Sequence, residues 1–201
     1  MKIYLVRHGQ SRWQVERNDA DWDSPLTDMG QTQSRFLANW LQAGNFLDRE
    51  TRMEIGVVCT SPMRRAEQTA AVLANALELS PTTVPNLREA DFYVSEQLPS
   101  RKTPYQALPL FRPTTSYERF KEQTQNGLHT LIEKGHAAGK PVLAVAHGGL
   151  ISTMLRLAIG SDAVSFWIYN ATLSMIEWKR GRWHLVYLNL WDHLPPAFRT
   201  Y

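Results

Sequence analysis

Short apolar runs alternate along the chain with longer amphipathic segments. Four of the runs predict buried strands, at residues 3–6, 55–60, 82–84 and 142–146. Short runs of aliphatic and β-branched residues are typical of strands in a parallel sheet that is covered on both faces. The alternation of such strands with helical segments predicts an α/β fold.

Between the strands, apolar residues recur at helical spacing and predict four helices. These helices begin near Thr27, Ser61, Thr115 and Leu150. Ser61 followed by Pro62 is the pattern of a capping serine with proline at the first helical position. Thr115 with Glu118 three residues later is a capping-box pattern.

A proline-rich stretch at residues 85–114 interrupts this alternation. Its prolines are Pro85, Pro99, Pro104, Pro109 and Pro113. Because proline disfavours both helix interiors and central strands, we predict no regular element there. We interpret the stretch as a lid insertion in a single domain that spans residues 1–201. Two apolar runs, 173–178 and 183–188, predict a β-hairpin near the end of this domain.

Two of the predicted strands end in a histidine followed by glycine. His8 and Gly9 follow the first strand, and His147, Gly148 and Gly149 follow the strand at 142–146. Open α/β sheets bind ligands in the crevice beyond the carboxyl ends of their strands. We therefore expect both imidazoles in one pocket, where the glycines let the backbone approach a ligand closely.

Arginines beside these junctions predict an anion site. Arg7 precedes His8, and Arg64 falls in the first turn of the helix that Ser61 opens. Free backbone N–H groups at a helix N-terminus, together with a bidentate guanidinium, suit a phosphate group. We expect Arg64 to face the phosphate and Arg65 to face solvent or a salt bridge.

Composition narrows the class of protein further. The 201 residues carry a formal net charge of +3 without a block of consecutive lysines and arginines, so we expect no nucleic-acid partner. No apolar run approaches the roughly 18 residues of a membrane span. The apolar run before Arg7 is too short for a signal peptide, and the single cysteine, Cys59, cannot form an internal disulfide. These features predict a cytoplasmic protein without membrane contact.

Four motifs follow one another between residues 3 and 150. They read Leu5-Val6-Arg7-His8-Gly9-Gln10-Ser11, Pro25-Leu26-Thr27 with Gly30 and Gln33, Ser61-Pro62 with Arg64, Ala66, Gln68 and Thr69, and Ala146-His147-Gly148-Gly149. In these motifs and their order the chain resembles the histidine phosphatase superfamily, the phosphoglycerate mutase-like branch 1. It lacks the adjacent arginine pair that mutases carry after their acid, so the resemblance is closer to the phosphatases.

The resemblance implies a three-layer α/β/α sandwich with a mainly parallel central sheet. It also implies that His8 attacks phosphorus and becomes a phosphohistidine, which water hydrolyses, while Arg7, Arg64 and His147 hold the phosphoryl oxygens. A neutral His8 can attack only if its other ring nitrogen donates its proton to a fixed acceptor, for which we expect a backbone carbonyl. No metal or organic cofactor is implied.

The leaving alkoxide needs a proton, which a carboxylic acid with a raised pKa can donate. Glu89 matches the position of the family's acid. The residues after it depart from the family's pattern, so Asp91 stays a rival for that role. Gln14 stands where many members carry asparagine. The residues expected to bind the substrate are Arg7, Gln14, Arg64 and Gly148.

The leading interpretation is a metal-independent phosphatase whose partner is a small anionic phosphorylated metabolite. One alternative is cofactor-dependent phosphotransfer of the phosphoglycerate mutase type, and another is a catalytically weak phosphate-binding or adaptor protein on the same fold. A cysteine phosphatase is a further alternative, because Cys59 and Arg65 have the spacing of a phosphate-binding cysteine loop. Pro62 argues against it, since proline lacks a backbone donor that such a loop needs. The sequence leaves homodimer formation open.

Overall fold

A six-stranded sheet forms the centre of the computed structural model, which describes residues 1–17, 20–44 and 54–201. The strands are β1 (Lys2–Arg7), β2 (Val57–Thr60), β3 (Pro81–Thr83), β4 (Val142–Ala146), β5 (Leu173–Lys179) and β6 (Arg182–Leu190). Their order across the sheet is β3-β2-β4-β1-β5-β6. The first four strands in this order pair in parallel, whereas β5 pairs antiparallel with both β1 and β6.

Helices cover both faces of the sheet. They are α1 (Arg12–Glu16), α2 (Asp28–Gln42), α3 (Arg64–Ala76), α4 (Thr115–Ala138) and α5 (Gly148–Ile159), with short 3₁₀ turns at Pro85–Leu87, Val94–Gln97 and Pro196–Phe198. Side chains alternate between the two faces of each strand. On β1, Ile3 and Leu5 pack with α4 and α5, whereas Tyr4 and Val6 pack with α2 and α3. The three-layer α/β/α sandwich with a mainly parallel sheet is therefore confirmed.

The predicted strands are present with small shifts at their ends. The strand at 142–146 has the predicted bounds, the strand at 55–60 begins two residues late, and the strand at 82–84 lies one residue earlier. The hairpin turn consists of Arg180 and Gly181, both with positive φ (52° and 74°). A two-residue turn of this kind matches the twist of the strands that it joins.

Three of the predicted helix starts were displaced. The last helix, α5, begins at Gly148, two residues before Leu150. Thr27 caps α2 as expected, accepting a hydrogen bond from the Gly30 amide at 3.0 Å. The N-cap of α3 is Met63, which makes no side-chain cap hydrogen bond, and not Ser61. The N-cap of α4 is Thr114, whose hydroxyl accepts from the Tyr117 amide at 3.3 Å, and not Thr115.

Two short 3₁₀ turns, Pro85–Leu87 and Val94–Gln97, depart from the prediction that residues 85–114 hold no regular element. Between residues 98 and 114 the stretch has neither helix nor strand, as its prolines predict. The C-terminal segment packs on its own chain, because Leu194 is buried and the Phe198 ring contacts the Phe36 ring with centroids 5.1 Å apart. Within the described residues, no helix combines the length and the apolar character that crossing a membrane requires.

Candidate active site

His8 and His147 meet at the carboxyl edge of the sheet, as the strand pattern predicts. β1 and β4 are neighbours, with Arg7 opposite Ala146. Because each histidine directly follows its strand, the two imidazole rings lie with centroids 5.1 Å apart. The His8 amide also donates to the Ala146 carbonyl at 3.0 Å, so the two junctions are joined through their backbones.

The His8 ring is held in one tautomer. Its Nδ1 lies 2.6 Å from the Gly9 carbonyl oxygen, which can only accept, so Nδ1 carries the proton. Nε2 is thereby unprotonated and accepts from Arg65 Nε at 3.1 Å. Burial, followed by the positive charges of Arg65 and Arg7, holds the pKa of His8 well below its ordinary value. The imidazole is therefore neutral near pH 7, and the Gly9 carbonyl is the fixed acceptor that the sequence argument requires.

Gly9 allows the chain after β1 to approach α2. A Cβ at this position would collide with the backbone of Gly30 on that helix. The Gly9 amide donates to the Thr69 hydroxyl of α3 at 3.1 Å. A residue without a side chain is thus needed where the His8 loop passes between the two helices.

The structure places Arg65, and not Arg64, beside His8. Arg65 is 2% exposed and donates both to His8 and, from Nη1, to the Trp22 carbonyl at 2.6 Å. The Arg64 side chain is exposed and does not line the cavity. The predicted placement of Arg64 was wrong because α3 begins two residues later than the pattern at Ser61 indicates, which rotates the arginines about the helix axis.

A signal in the sequence favours Arg65. It lies four residues before Thr69 and eight before Leu73, and all three belong to the buried face of α3. Residues with this spacing share one side of a helix. The helical spacing therefore predicts that Arg65 faces the interior, whereas the cap expected at Ser61 led to the prediction of Arg64.

Arg7 approaches the site from the end of β1. Its Nη1 donates to the Ile168 carbonyl, and its guanidinium carbon lies 5.3 Å from the centre of the Tyr201 ring. Burial lowers the pKa of Arg7, but a guanidinium keeps its charge in proteins. Its buried Nε has no hydrogen-bond partner among the described residues, so it is available to a ligand.

His147 is fully buried and lies against the His8 ring rather than on the cavity surface. Its Nε2 is 2.7 Å from the Ser61 hydroxyl oxygen, and its Nδ1 has no partner in the part of the chain that the structure describes. Burial, followed by His8 and the nearby arginines, lowers the pKa of His147 well below its ordinary value. Its role as a phosphate ligand stays a prediction.

Glu89 is held against the N-terminus of α5. Its Oε2 accepts from the Gly149 amide at 2.8 Å, and its Oε1 accepts from the Ala90 amide at 3.1 Å. Burial raises the pKa of Glu89, although both hydrogen bonds and the charges of Arg65 and Arg7 oppose the shift. A Cβ on Gly149 would lie 2.7 Å from Glu89 Oε1, so glycine is needed for this contact. A carboxyl with a raised pKa suits the predicted general acid.

The rival acid and two expected substrate contacts also line the cavity. Asp91 is exposed there, and Gly148 forms part of the wall. Gln14 lines the cavity too, but its side-chain amide is already engaged: Oε1 accepts from the Ser11 amide at 3.0 Å, and Nε2 donates to Asn170 Oδ1 at 3.0 Å. Gln14 therefore organises the loop after β1 in the absence of a ligand.

The groups around His8 open into a cavity of about 560 Å³. This volume lies within the range of sites for small organic ligands, roughly 300–1,000 Å³. Aromatic side chains form much of its wall. They are Trp13, Trp22, Phe92, Tyr93, Phe166 and Trp167. One end of the cavity, beside His8, thus carries the positive charges of Arg7 and Arg65, and much of the remaining wall is aromatic.

Cys59 and the basic residues of the proline-rich stretch lie away from the cavity. Cys59 is fully buried in β2, and burial raises the pKa of its thiol to about 11, which disfavours the thiolate that a cysteine phosphatase needs. Of the charged residues in the proline-rich stretch, Arg101, Lys102 and Arg112 do not line the cavity.

Some residues of the wall belong to none of the sequence motifs, among them Ser152, Arg156 and Tyr201. Ser152 and Arg156 lie one and two turns after Gly148 on α5, so helical spacing from the glycine would have found them. Tyr201 is far from any motif, and only the folded chain brings it to Arg7.

Comparison with known proteins agrees with this geometry. The family model described as the histidine phosphatase superfamily (branch 1) matches residues 3–190. A Bacillus subtilis (strain 168) protein named uncharacterized phosphatase PhoE is 27% identical over 200 residues, which cover 96% of each chain. A Yersinia pestis (strain Pestoides F) protein named probable phosphoglycerate mutase GpmB is 27% identical over 207 residues, covering 91% of this chain and 87% of that protein.

The fold is shared with solved structures as well. Bacillus stearothermophilus YhfR superimposes with a TM-score of 0.73 at 21% sequence identity, over 96% of this chain and 98% of that one.

Proposed function

The chain belongs to the histidine phosphatase superfamily, and from this premise we propose that it is a metal-independent phosphatase acting on small phosphomonoesters. The observation that carries the proposal is the state of His8, a neutral imidazole with its proton fixed on Nδ1 and its Nε2 beside Arg65. Phosphoryl transfer requires mainly an oriented nucleophile and cations around the phosphoryl oxygens. Arg7 and Arg65 supply those cations.

In the first step, His8 Nε2 attacks phosphorus as the bond from phosphorus to the ester oxygen breaks. Glu89, whose protonated form burial favours by raising its pKa, gives its proton to the departing oxygen. The Nδ1 proton stays in its hydrogen bond with Gly9, so the phosphorylated ring keeps its orientation. The products are an alcohol and a phosphohistidine, with Glu89 left as a carboxylate.

In the second step, water attacks the phosphohistidine. The Glu89 carboxylate takes a proton from the water, the oxygen bonds to phosphorus, and the bond from phosphorus to Nε2 breaks. Inorganic phosphate leaves, and His8 and Glu89 return to their starting forms. The same carboxyl group thus serves as acid and then as base.

Phosphotransfer of the mutase type is the second candidate, because a protein named probable phosphoglycerate mutase is as similar to the chain as the named phosphatase. A mutase returns the phosphoryl group from His8 to a hydroxyl of the substrate instead of to water. The two candidates differ in product: a phosphatase releases inorganic phosphate, whereas a mutase converts one phosphate ester into its isomer.

The proposal is tested by trapping the phosphorylated protein with radiolabelled 4-nitrophenyl phosphate. We expect a label that is labile in acid and stable in alkali, and phosphate release that continues with chelator present. The His8→Ala variant should lose both label and turnover, whereas Cys59→Ala should keep both. A label that persists in His8→Ala would refute the proposed intermediate, and binding of phosphate without turnover would favour the adaptor interpretation.

A further inference from the structure

A buried cation lies along the cavity wall beyond the phosphoryl site. Gly148, Ser152 and Arg156 line the cavity from successive turns of α5. A Cβ on Gly148 would contact the Arg7 guanidinium, so this end of the helix adjoins the phosphoryl site. At a rise of 1.5 Å per residue, the backbone of Ser152 lies roughly 6 Å further along the helix axis and that of Arg156 roughly 12 Å. The Arg156 guanidinium reaches back to Ser152 and Thr153.

Neutral oxygens hold the Arg156 guanidinium. Nε donates to the Tyr117 hydroxyl at 3.0 Å, Nη1 to the Ser152 hydroxyl at 2.7 Å, and Nη2 to the Thr153 hydroxyl at 2.7 Å. Burial raises the pKa of Tyr117 to about 12, so this phenol stays neutral as well. None of these three partners offsets the charge of Arg156.

The nearest carboxylate is shared with another cation. Asp162 Oδ1 lies 3.6 Å from Arg156 Nε, while Asp162 Oδ2 accepts from Lys121 Nζ at 2.7 Å. Although burial alone would raise the pKa of Asp162, the hydrogen bonds from Lys121 and Tyr117 hold it below its usual value, so the group is ionised. Two cations thus share one carboxylate, and the Arg156 side chain is 1% exposed. A buried excess charge is costly unless an opposite charge compensates it.

Ser152 connects this charge with the cavity. Its oxygen accepts from Arg156, and among the described hydrogen bonds there is none in which its hydroxyl donates. A hydroxyl polarised by a guanidinium is a good donor to an anionic oxygen. Phe92, Phe166 and Ile168 also line the cavity and offer no charge.

We propose that Ser152, with Arg156 behind it, is a second anion subsite, and that the substrates are phosphomonoesters whose leaving group carries an acidic end beyond an apolar or planar middle. This inference rests on the proposed phosphatase function. Ser152 makes the contact with the acidic group, and Arg156 supplies the charge. The exposed Asp91 also lines the cavity, but solvent screens its repulsion.

A matched pair of substrates tests the subsite. The phosphate ester of 3-(4-hydroxyphenyl)propanoate carries a distal carboxylate, and its methyl ester is the neutral counterpart with nearly the same leaving group. We expect wild-type kcat/KM to favour the acid by about tenfold or more, mainly through KM, since hydrogen bonds to charged groups contribute about 1.5–3 kcal/mol. Ser152→Ala should reduce this ratio severalfold, and Arg156→Met should bring it to about one.

Arg119→Met is the control, because it removes an exposed positive charge from α4 without touching the cavity. Its ratio should equal that of the wild type. If Arg156 only fastens α4 to α5, its replacement lowers the melting temperature and leaves the ratio intact, which would overturn the proposal. Absence of acid preference in the wild type would overturn it as well.

A binding measurement separates this proposal from the phosphatase itself. Calorimetry with 3-(4-hydroxyphenyl)propanoate and its methyl ester requires no turnover. We expect the acid to bind more tightly, and the difference to shrink in Ser152→Ala, which is less disruptive to folding than Arg156→Met. If neither phosphate ester is hydrolysed but this difference is observed, the phosphatase function fails and the subsite stands. If the acid and its methyl ester bind equally well, the proposed subsite is refuted, whether or not the protein is a phosphatase.

Discussion

At the scale of single residues, burial drives each titratable group of the site to its neutral form. It lowers the pKa of His8 and His147 and raises the pKa of Glu89. The guanidiniums of Arg7 and Arg65 cannot follow, because they stay charged. The proposed site therefore keeps the positive charges of Arg7 and Arg65 that a phosphate dianion requires, while burial favours the neutral imidazole and the protonated carboxyl that the proposed reaction uses.

Adjacent arginines on α3 give the sharpest test at this scale. Arg65→Ala removes a buried guanidinium beside His8, and we expect kcat/KM for 4-nitrophenyl phosphate to fall by about 10²–10³, the usual loss when one donor to a reacting oxyanion is removed. Arg64→Ala removes an exposed one and should change kcat/KM by no more than about twofold. Steady-state kinetics measures kcat/KM for both variants. Equal losses of kcat/KM in Arg64→Ala and Arg65→Ala would contradict the placement of Arg65 at the phosphoryl site.

The same pair shows what a local motif can predict. His8 and His147 were found because each follows a short apolar strand, a pattern contained in a few consecutive residues. The choice between Arg64 and Arg65 depends on which of them shares the buried face of α3 with Thr69 and Leu73, and the expected cap at Ser61 does not indicate that face. Since Met63 caps α3 without a side-chain hydrogen bond, no residue type marks the start of this helix.

At the scale of elements, the N-terminus of α5 contributes to the cavity wall and also orients Glu89. Its first turn follows His147 and brings Gly148 to the cavity wall, while the Gly149 amide orients Glu89. A helix N-terminus favours a carboxylate, yet burial of Glu89 outweighs this preference and raises its pKa. The donor therefore positions the acid without forcing its ionisation.

Gly149→Ala tests this positioning. The new Cβ would lie 2.7 Å from Glu89 Oε1, so the carboxyl must move. We expect kcat for alkyl phosphates to fall by at least about tenfold, toward the level of Glu89→Gln, because general acid catalysis contributes about 10²–10⁴. Aryl phosphates should lose less, since their leaving groups need less protonation.

Gly148→Ala is the neighbouring comparison, because its Cβ would meet the nearest atom, Arg7 Cζ, at an ordinary 3.5 Å. It should lose less activity than Gly149→Ala. Circular dichroism should show both variants folded, since alanine is a better helix former than glycine. A larger loss in Gly148→Ala, or an equal loss on alkyl and aryl esters in Gly149→Ala, would argue against Glu89 as the acid.

At the scale of the whole molecule, the site depends on contacts that no local pattern contains. Apolar runs predicted the strands and their burial, but the order that makes β1 and β4 neighbours is a property of the folded sheet. Arg156, Tyr117 and Asp162 come from two helices and a loop, and Tyr201 reaches Arg7 from the opposite end of the chain. Each element was predictable from its own residues, whereas the contacts between residues of different elements follow from how the elements pack.

The burial of three histidines makes the stability of the whole molecule depend on pH. His8, His147 and His193 are at most 8% exposed, and burial is the first cause that lowers the pKa of each, to about 4 for His193. In the unfolded chain their pKa is about 6.5, so below that pH the unfolded state binds more protons than the folded state. Their contribution is therefore complete above about pH 6.5 and is lost as the pH falls toward the folded pKa values. Glu89, whose pKa is raised in the folded state, acts in the opposite direction and offsets up to one proton.

Because the three imidazoles outnumber the one carboxyl group, unfolding should take up protons, and the free energy of unfolding should fall as the pH drops from 6.5 toward 5. Urea denaturation at several pH values measures this slope. His193 lies outside the site, and its Nε2 donates to the Ala171 carbonyl at 2.8 Å. His193→Gln should reduce the slope by about 1.4 kcal/mol per pH unit. His129→Gln, at an exposed position of α4, controls for the loss of a histidine as such. A free energy of unfolding that is the same at pH 7 and pH 5 would mean that the buried imidazoles take up protons without opening the fold, which contradicts the neutral His8 on which the proposed attack depends.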